Sequence, residues 1–324
     1  MTSLFRHREE NAVTVLIMIV ASLVGQSLFF GAADARAVAY EISYLSDREV
    51  VMLVESAAMR RRVEVKVLIP SDRRMSRPSM YFLEGNDADW GESGWTRFTD
   101  IKGFFSGIPV NVVLPIGGPG SFYTDWQRED PQLGRPGWET FLTKELPPLV
   151  DEHFSGNGRN GIVGLSAGGR AAITLAVRSP QLYSAVGSFS GPLCGGDAGQ
   201  DIIRVAVGRK GGDADNMWGQ RGDPAWIAND PNEHVDRFRG KAVYLSAGSG
   251  VPRPDDAGVG VADLVTATAF ERIVHDCTKR FESALSNAGI PAAVRYTPEG
   301  IHSWPLWCEA LHDSWSTLRI GLGI

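Results

Sequence analysis

The stretch GIVGLSAGGR, residues 161–170, decides how this chain folds. An apolar run, Ile162-Val163, enters Gly-Leu-Ser-Ala-Gly, and the helical pattern AAITLAV follows at 171–177. A G-x-S-x-G turn between a strand and a helix forms a nucleophile elbow, in which the serine stands exposed at the end of the strand. The stretch therefore predicts that Ser166 is a catalytic nucleophile.

Steric and electrostatic requirements of this turn explain why its residues are small. In so sharp a turn, side chains at the two flanking positions would clash with neighbouring groups, which accounts for Gly164 and Gly168. Ala167 begins the helix, so its backbone N–H has no intrahelical partner. Because a helix N-terminus favours negative charge, we expect the N–H of Ala167 to stabilise an oxyanion.

Apolar runs alternate with helical patterns along most of the chain. Predicted strands cover Val50–Glu55, Arg62–Ile69, Ser79–Leu83, Val110–Pro115, Gly161–Gly164, Ala185–Phe189, Ala242–Ser246 and Ala293–Tyr296. Predicted helices cover Trp138–Glu152, Ala167–Arg178, Val261–Ala288 and Pro305–Leu318. The early strands have no helices between them and are expected to be antiparallel, whereas the later ones imply parallel crossovers. The pattern is typical of an α/β-hydrolase fold, with a mostly parallel sheet and helices on both faces.

The segment from about 191 to 239 breaks this pattern. It is rich in Gly, Asp and Pro and has weak periodicity. We expect it to form a loop-rich insertion over the C-terminal edge of the sheet, as a lid or substrate wall or as a packed surface excursion.

A serine nucleophile requires a base and an orienting acid, and in this fold they follow the serine in the order acid, then histidine. His302 lies in PEGIHSWPLW, between the last predicted strand and the final helix, where the fold places its catalytic base. His275 and His312 lie in helical patterns, and His234 lies in the insertion. We therefore predict His302 as the base.

The acid is not fixed by position alone. It should follow the strand at 242–246, and the candidates are Asp255, Asp256, Asp263 and Glu271. The first two lie in a Pro/Gly/Asp loop, where solvated carboxylates are usual. Spacing does not choose among the four.

The N-terminus predicts export. Basic residues precede an uncharged stretch over 11–33, and Ala35-Arg36-Ala37 is an A-x-A cleavage pattern. We interpret residues 1–37 as a signal peptide and residues 38–324 as a secreted or envelope-associated catalytic domain. An uncleaved membrane anchor is the competing interpretation, because the stretch is long enough to span.

The composition of the chain limits the classes of ligand and partner that we expect. The chain has 324 residues, 22% of them charged, and a net charge of −6 without a basic run, so nucleic acid is not an expected partner. No Cys/His spacing suggests a metal site, and we predict neither metal nor cofactor. Oxidation could join two of the three cysteines, with Cys277 and Cys308 in segments expected to converge, or leave three buried thiols with Cys194 among them.

Several segments resemble the secreted mycolyltransferases of mycobacteria and corynebacteria, the antigen 85 type, over about 62–318. The matching motifs are YFLEG, VVLPIGGPGSFYTDW, WETFLTKELP, GIVGLSAGGRAA, GSFSG, NMWG, DPAW and HSWPLW. The resemblance implies an α/β-hydrolase fold and transfer of a mycolyl group from a trehalose mycolate glycolipid through an acyl-serine. It also implies that Glu271, ten residues before Phe281, is the acid. It further implies that the N–H of Asn86 is the second oxyanion donor.

The chain departs from the family pattern around the sugar site. Where the family has Asp-Gly-Leu-Arg, this chain has Glu84 in the acid position and Asp87 in the arginine position. Aspartate and arginine cannot make the same hydrogen bonds. Gly168, Arg170 and Cys194 are further departures. We expect the triad to be kept and the trehalose specificity to differ.

Substrate contacts are expected from Glu84 and Asp87, and from Ser303 and Trp304, which follow His302 directly. Aromatic faces stack on sugars and line paths for lipid chains. The predicted acceptor is a hydroxyl of trehalose monomycolate, of arabinogalactan or of a protein. The alternatives are a secreted carboxylesterase and a non-catalytic cell-wall binding protein on the same fold.

Overall fold

The computed structural model describes residues 37–324, so the predicted leader lies outside the described residues except for Ala37. In this part of the chain no helix combines the length and the apolar character needed to cross a membrane. The fold is an α/β sandwich of three layers, with a central sheet between two layers of helices.

The sheet has nine strands in the order β1-β2-β3-β5-β4-β6-β7-β8-β9. Their bounds are β1 Val38–Tyr44, β2 Glu49–Ser56, β3 Arg61–Leu68, β4 Arg77–Leu83, β5 Asn111–Pro115, β6 Gly156–Leu165, β7 Tyr183–Phe189, β8 Ala242–Gly248 and β9 Ala293–Thr297. The pairs β1–β2, β2–β3 and β3–β5 are antiparallel, and all later pairs are parallel. The mostly parallel α/β-hydrolase fold predicted from the sequence is confirmed, although β1 was not foreseen.

Burial distinguishes the β1–β2 edge of the sheet from its centre. In β2 buried and partly exposed residues alternate, as expected for a strand covered mainly on one face. Every residue of β4 and β5 is buried, because helices cover both faces there. The centre of the sheet is therefore buried on both faces, and β6, which leads to Ser166, lies next to β4 in this centre.

The helices are α1 Gly94–Phe98, α2 Ile101–Phe104, α3 Trp138–Thr140, α4 Leu146–Phe154, α5 Ser166–Arg178, α6 Gly196–Gly208, α7 Ala214–Trp218, α8 Pro224–Ala228, α9 Val261–Asn287 and α10 Trp304–Leu322. A π-helical turn, Phe141–Glu145, joins α3 to α4, and 3₁₀ turns occupy Phe105–Gly107, Pro231–Phe238 and Pro254–Asp256. Residues of α4, α5 and α9 share one apolar core, whereas α1, α2 and α10 form the other.

The segment 191–239 is more ordered than its composition suggested. It contains α6, of 13 residues, as well as α7 and α8. Ile203 and Trp218 belong to a third apolar cluster, which also includes Trp126 from the GGPGSFYTDW motif. The prediction of a loop-rich insertion is therefore wrong in this respect. The glycines at the start of α6 and the absence of a side-chain cap there concealed the helix.

The cysteine prediction also needs correction. Cys194 and Cys277 form the disulfide, with a Cα–Cα distance of 4.5 Å, and Cys308 is a free thiol. The suggested pairing of Cys277 with Cys308 fails because α9 and α10 cover opposite faces of the sheet. Cys194, directly before α6, reaches α9 instead.

Candidate active site

Ser166 lies in a strained turn at the carboxyl end of β6. Its φ of +52° is in the left-handed region, which non-glycine residues rarely adopt. A Cβ on Gly164 would lie 2.2 Å from the carbonyl oxygen of Gly168, and one on Gly168 would lie 2.2 Å from that of Glu84. The two glycines thus permit the turn and bring Ser166 against the neighbouring strand end.

A continuous chain of hydrogen bonds connects three of the predicted site residues. The Ser166 Oγ lies 2.8 Å from Nε2 of His302, and Nδ1 of His302 lies 2.7 Å from Oε2 of Glu271. With the proton on Nδ1 donated to the carboxylate, Nε2 is free to accept the Ser166 proton. We call these three side chains the proton relay.

The Glu271 carboxylate is fully buried and uses both oxygens. Besides the bond to His302, its Oε1 accepts from the Ser190 hydroxyl at 2.8 Å and from the Gly248 N–H at 2.7 Å. Ser190 itself has a φ of +49°, in the left-handed region, and its side chain contacts the Glu271 carboxylate. Both oxygens of this buried carboxylate therefore have hydrogen-bond partners, as burial of a polar group requires.

The other candidate acids and histidines take no part in this chain of hydrogen bonds. Asp256 is buried and accepts from the Arg253 N–H at 2.8 Å. Asp255 and Asp263 are exposed. His275 Nδ1 faces the Gly248 carbonyl at 3.0 Å, and His312 Nε2 faces Asp100 at 2.8 Å. His234 interrupts the 3₁₀ turn of the 191–239 segment. Among the four acids that sequence spacing left open, Glu271 is the one beside His302.

The predicted oxyanion donors flank Ser166. A Cβ on Gly85 would be 3.4 Å from the Ser166 Cβ, so the residue that follows, Asn86, is next to the nucleophile. Within residues 37–324 no protein acceptor takes the Asn86 N–H. Ala167 is in the first turn of α5, where backbone N–H groups lack intrahelical partners. Both N–H groups are thus available to a ligand.

Ser166 opens into a cavity of about 540 Å³. One wall is aromatic: the Trp304 ring lies 5.0 Å from Phe98 and 5.8 Å, edge to face, from Trp95. Five exposed carboxylates surround the mouth, and we call them the acidic rim: Asp87, Asp89, Glu92, Asp255 and Asp263. The cavity therefore combines an apolar wall with a negatively charged mouth.

Glu84 is a buried carboxylic acid that lines this cavity. The Ser93 hydroxyl donates to its Oε1 at 2.8 Å, and the Trp95 N–H donates at 3.4 Å. Burial raises the pKa of Glu84 from 4.5 to about 7, although the bonds from Ser93 and from backbone N–H groups oppose the shift. The acid is therefore partly protonated near neutral pH.

The remaining predicted substrate contacts have protein partners. Asp87 forms an ion pair with Lys210, and the Ser303 hydroxyl donates to Asp256 at 2.7 Å. Both residues still line the cavity, as does Trp304, which is half-buried. Seven of the nine predicted site residues thus line one cavity, while Ala167 directly follows Ser166 and Glu271 lies behind His302.

Sequence reasoning did not assign roles to three residues that support the site. The Tyr123 hydroxyl accepts from the Glu84 N–H and donates to the Gly117 carbonyl, both at 3.1 Å, and so fixes two loops. Ser93 and Ser190 each bond a buried carboxylate. Tyr123 and Ser190 lie in the motifs GGPGSFYTDW and GSFSG, where they could have been found.

Comparisons with a family model and with related sequences both point to esterases and acyltransferases. A family model described as a putative esterase matches residues 56–318. The chain is 35% identical over 258 residues to the diacylglycerol acyltransferase/mycolyltransferase Ag85A of Mycobacterium leprae, covering 76% of each chain. It is 33% identical over 332 residues to Ag85A of Mycobacterium tuberculosis, covering 98% of this chain and 95% of that protein.

Two solved structures show the same fold. MPT51 (FbpC1) of Mycobacterium tuberculosis superposes with a TM-score of 0.70 at 24% identity, over 82% of this chain and 97% of its own. An S-formylglutathione hydrolase from Agrobacterium tumefaciens superposes with a TM-score of 0.62 at 17% identity, over 86% and 99%. At these identities the similarity supports the fold alone.

Proposed function

Since the chain belongs to the putative-esterase family and to its antigen 85 type of mycolyltransferase, an acyltransferase with a serine-hydrolase type of mechanism, we propose that Ser166, His302 and Glu271 are its catalytic triad. We further propose that it moves a mycolyl group from trehalose monomycolate to an acceptor hydroxyl. The observation that carries the proposal is the unbroken proton relay, with distances of 2.8 and 2.7 Å, at the end of a cavity.

The first half-reaction forms the acyl-enzyme. His302 Nε2 takes the proton of Ser166 as Oγ attacks the ester carbonyl of the donor, and Glu271 stabilises the imidazolium that results. The carbonyl oxygen becomes negative and accepts from the N–H groups of Asn86 and Ala167. When the tetrahedral intermediate collapses, His302 returns the proton to the leaving trehalose oxygen, and the acyl group stays on Ser166.

The second half-reaction repeats these steps with a new hydroxyl. His302 takes the proton of the acceptor hydroxyl as its oxygen attacks the acyl carbonyl, and when this intermediate collapses His302 returns the proton to the Oγ of Ser166. Transfer prevails over hydrolysis when the acceptor is held in position and water is kept away. The aromatic wall around Trp304 supports this role, because an apolar surface at the nucleophile binds a lipid chain and excludes water.

The same proposal places the protein outside the cytoplasm. The A-x-A pattern at 35–37 supports export, and the Cys194–Cys277 disulfide is consistent with an oxidising compartment. A mycolyl glycolipid donor and a glycan, glycolipid or protein acceptor would both be met in the cell envelope.

A product assay tests the proposal. The protein is incubated with trehalose monomycolate, alone and with free trehalose, and the lipids are separated. We expect trehalose dimycolate from the wild type and none from Ser166→Ala, with an acyl adduct on Ser166 detected by mass spectrometry. Free mycolic acid as the sole product would support an esterase instead. Absence of any adduct with an activated ester would contradict the enzymatic role of Ser166.

A further inference from the structure

Three contacts fix the backbone around Asn86. Its side-chain Nδ2 donates to the Ala206 carbonyl at 3.0 Å, and its own carbonyl accepts from the Gly120 N–H at 3.3 Å. The next residue, Asp87, pairs with Lys210. Ala206 lies in the last turn of α6, where carbonyl groups lack intrahelical donors, so this acceptor is free for a bond from outside the helix.

The other end of α6 is tied to the helices of the proton relay. The guanidinium of Arg170, four residues after Ser166 on α5, donates to the carbonyls of Pro192 and Cys194 at 2.9 and 2.8 Å. Cys194 is also joined by the disulfide to Cys277 on α9, the helix that carries Glu271. Thus α6 connects the nucleophile and acid helices at one end to the loop of Asn86 at the other.

We propose that Asn86, Asp87 and Lys210 are positioning residues that use α6 to hold the Asn86 backbone N–H on the developing oxyanion. The inference rests on the proposed function, since it needs Asn86 as an oxyanion donor. Asp87 then serves the loop rather than the sugar, which gives a structural reason for an acidic residue where the family pattern has arginine. Lys210 supplies the positive charge from the facing segment.

We expect the hydrogen bond from Asn86 to Ala206 and the Asp87–Lys210 ion pair to contribute unequally to the position of the Asn86 N–H. The Asp87 side chain is 89% exposed, and exposed ion pairs contribute little because water screens them. The carboxamide bond is partly buried, and the Asn86 Oδ1 has no contact with solvent or a described partner, so the side chain cannot simply turn away. We therefore expect the larger effect from Asn86.

The test compares a p-nitrophenyl oxo ester with the matching thiono ester. Sulfur accepts hydrogen bonds weakly, so loss of an oxyanion donor slows the oxo ester more than the thiono ester. Asn86→Ala and Asn86→Asp, which keeps the shape but removes the donor, should each lower kcat for the oxo ester about tenfold with little change in KM. The ratio of oxo to thiono rates should fall, whereas general damage would lower both rates equally.

The ion pair is tested by reversal. Asp87→Lys and Lys210→Asp should each lower the oxo ester kcat about threefold, and the double variant should recover most of the loss. The reversed pair Asp236→Lys/Arg239→Asp is the control, because this exposed 2.8 Å ion pair lies away from the cavity. Circular dichroism checks folding, and the charge variants keep the test valid if the Asn86 variants do not fold.

The outcomes distinguish a failure of the proposed role of α6 from a failure of the proposed function. A wild type that turns over the oxo ester, with variants whose oxo-to-thiono ratio is unchanged and a double reversal that recovers nothing, would overturn the role of α6 only. A wild type that neither turns over the ester nor reacts with a fluorophosphonate would overturn the proposed function on which the role rests.

Discussion

On the inner side of the cavity, the side chains of the proton relay are hydrogen-bonded to one another, and Glu271 alone accepts three hydrogen bonds. On the outer side, the acidic rim is exposed, and its Asp87 has a single ion pair. Ser166 and His302 lie within motifs that match the antigen 85 type, whereas the departure at position 87 lies on the rim and the departure at position 84 lies in the buried wall of the cavity. The buried carboxylate of the proton relay is thus held by three neighbours, whereas the rim carboxylate of Asp87 is held by one contact in water.

The largest expected effect comes from changing the acid of the relay. In Glu271→Gln, the amide oxygen should remain where the Ser190 hydroxyl and Gly248 N–H donate, so the NH₂ group faces His302. Nδ1 must then accept, the proton moves to Nε2, and His302 cannot accept the Ser166 proton. We expect kcat for an activated ester to fall by about 10⁴-fold, measured under saturating substrate.

Asp276→Asn is the matched control, since it changes an exposed carboxylate on the same helix. Its kcat should equal that of the wild type. If Glu271→Gln retained full activity, the inner side of the cavity would be no more constrained than the rim.

Removal of the Cys194–Cys277 disulfide tests whether the geometry of the proton relay depends on this cross-link. Replacing both Cys194 and Cys277 by alanine removes a cross-link between residues 83 apart in sequence, and the free energy of unfolding should fall by about 4 kcal/mol. Urea denaturation measures this loss. Because Glu271 is held by Ser190 and Gly248, we expect the folded variant to keep most of its esterase kcat.

Cys308→Ala provides the comparison, because this free thiol lies on the opposite layer and closes no loop. It should change the free energy of unfolding far less. A double variant that is folded and yet inactive would show instead that the disulfide, rather than the hydrogen bonds, fixes the acid.

Features of the fold and of the site could be predicted from the sequence where a short stretch of residues determines them, and could not where they depend on contacts between distant segments. Strands such as β7 and β8 are largely apolar and buried, and Ser166 and His302 lie in short motifs next to strand ends. Glu271 lies within a long helix whose charged residues look alike in sequence, so only the family resemblance selected it. The partner of Cys277 depends on which face of the sheet α9 covers, and no local pattern encodes that.

The smallest expected effect concerns Glu84, which shares features of both sides. It is as buried as the relay, but it has no cationic partner among the residues the structure describes, and it lies at a position that departs from the family pattern. Burial raises its pKa from 4.5 to about 7 in the folded protein. Between these values the folded protein binds more protons than the unfolded chain, so Glu84 lowers stability progressively as the pH rises from 4.5 to about 7.

Glu84→Gln removes this titration and can keep the bond from the Ser93 hydroxyl to an amide oxygen. Relative to the wild type, the variant should gain up to about 3 kcal/mol of unfolding free energy between pH 4.5 and pH 8, measured by urea denaturation at each pH. Asp263→Asn, on the exposed rim, should leave the pH dependence as it is in the wild type. A constant difference between Glu84→Gln and the wild type across this range would mean that water reaches Glu84 as freely as it reaches the rim, and the boundary between the two sides would then lie deeper, between Glu84 and Ser166.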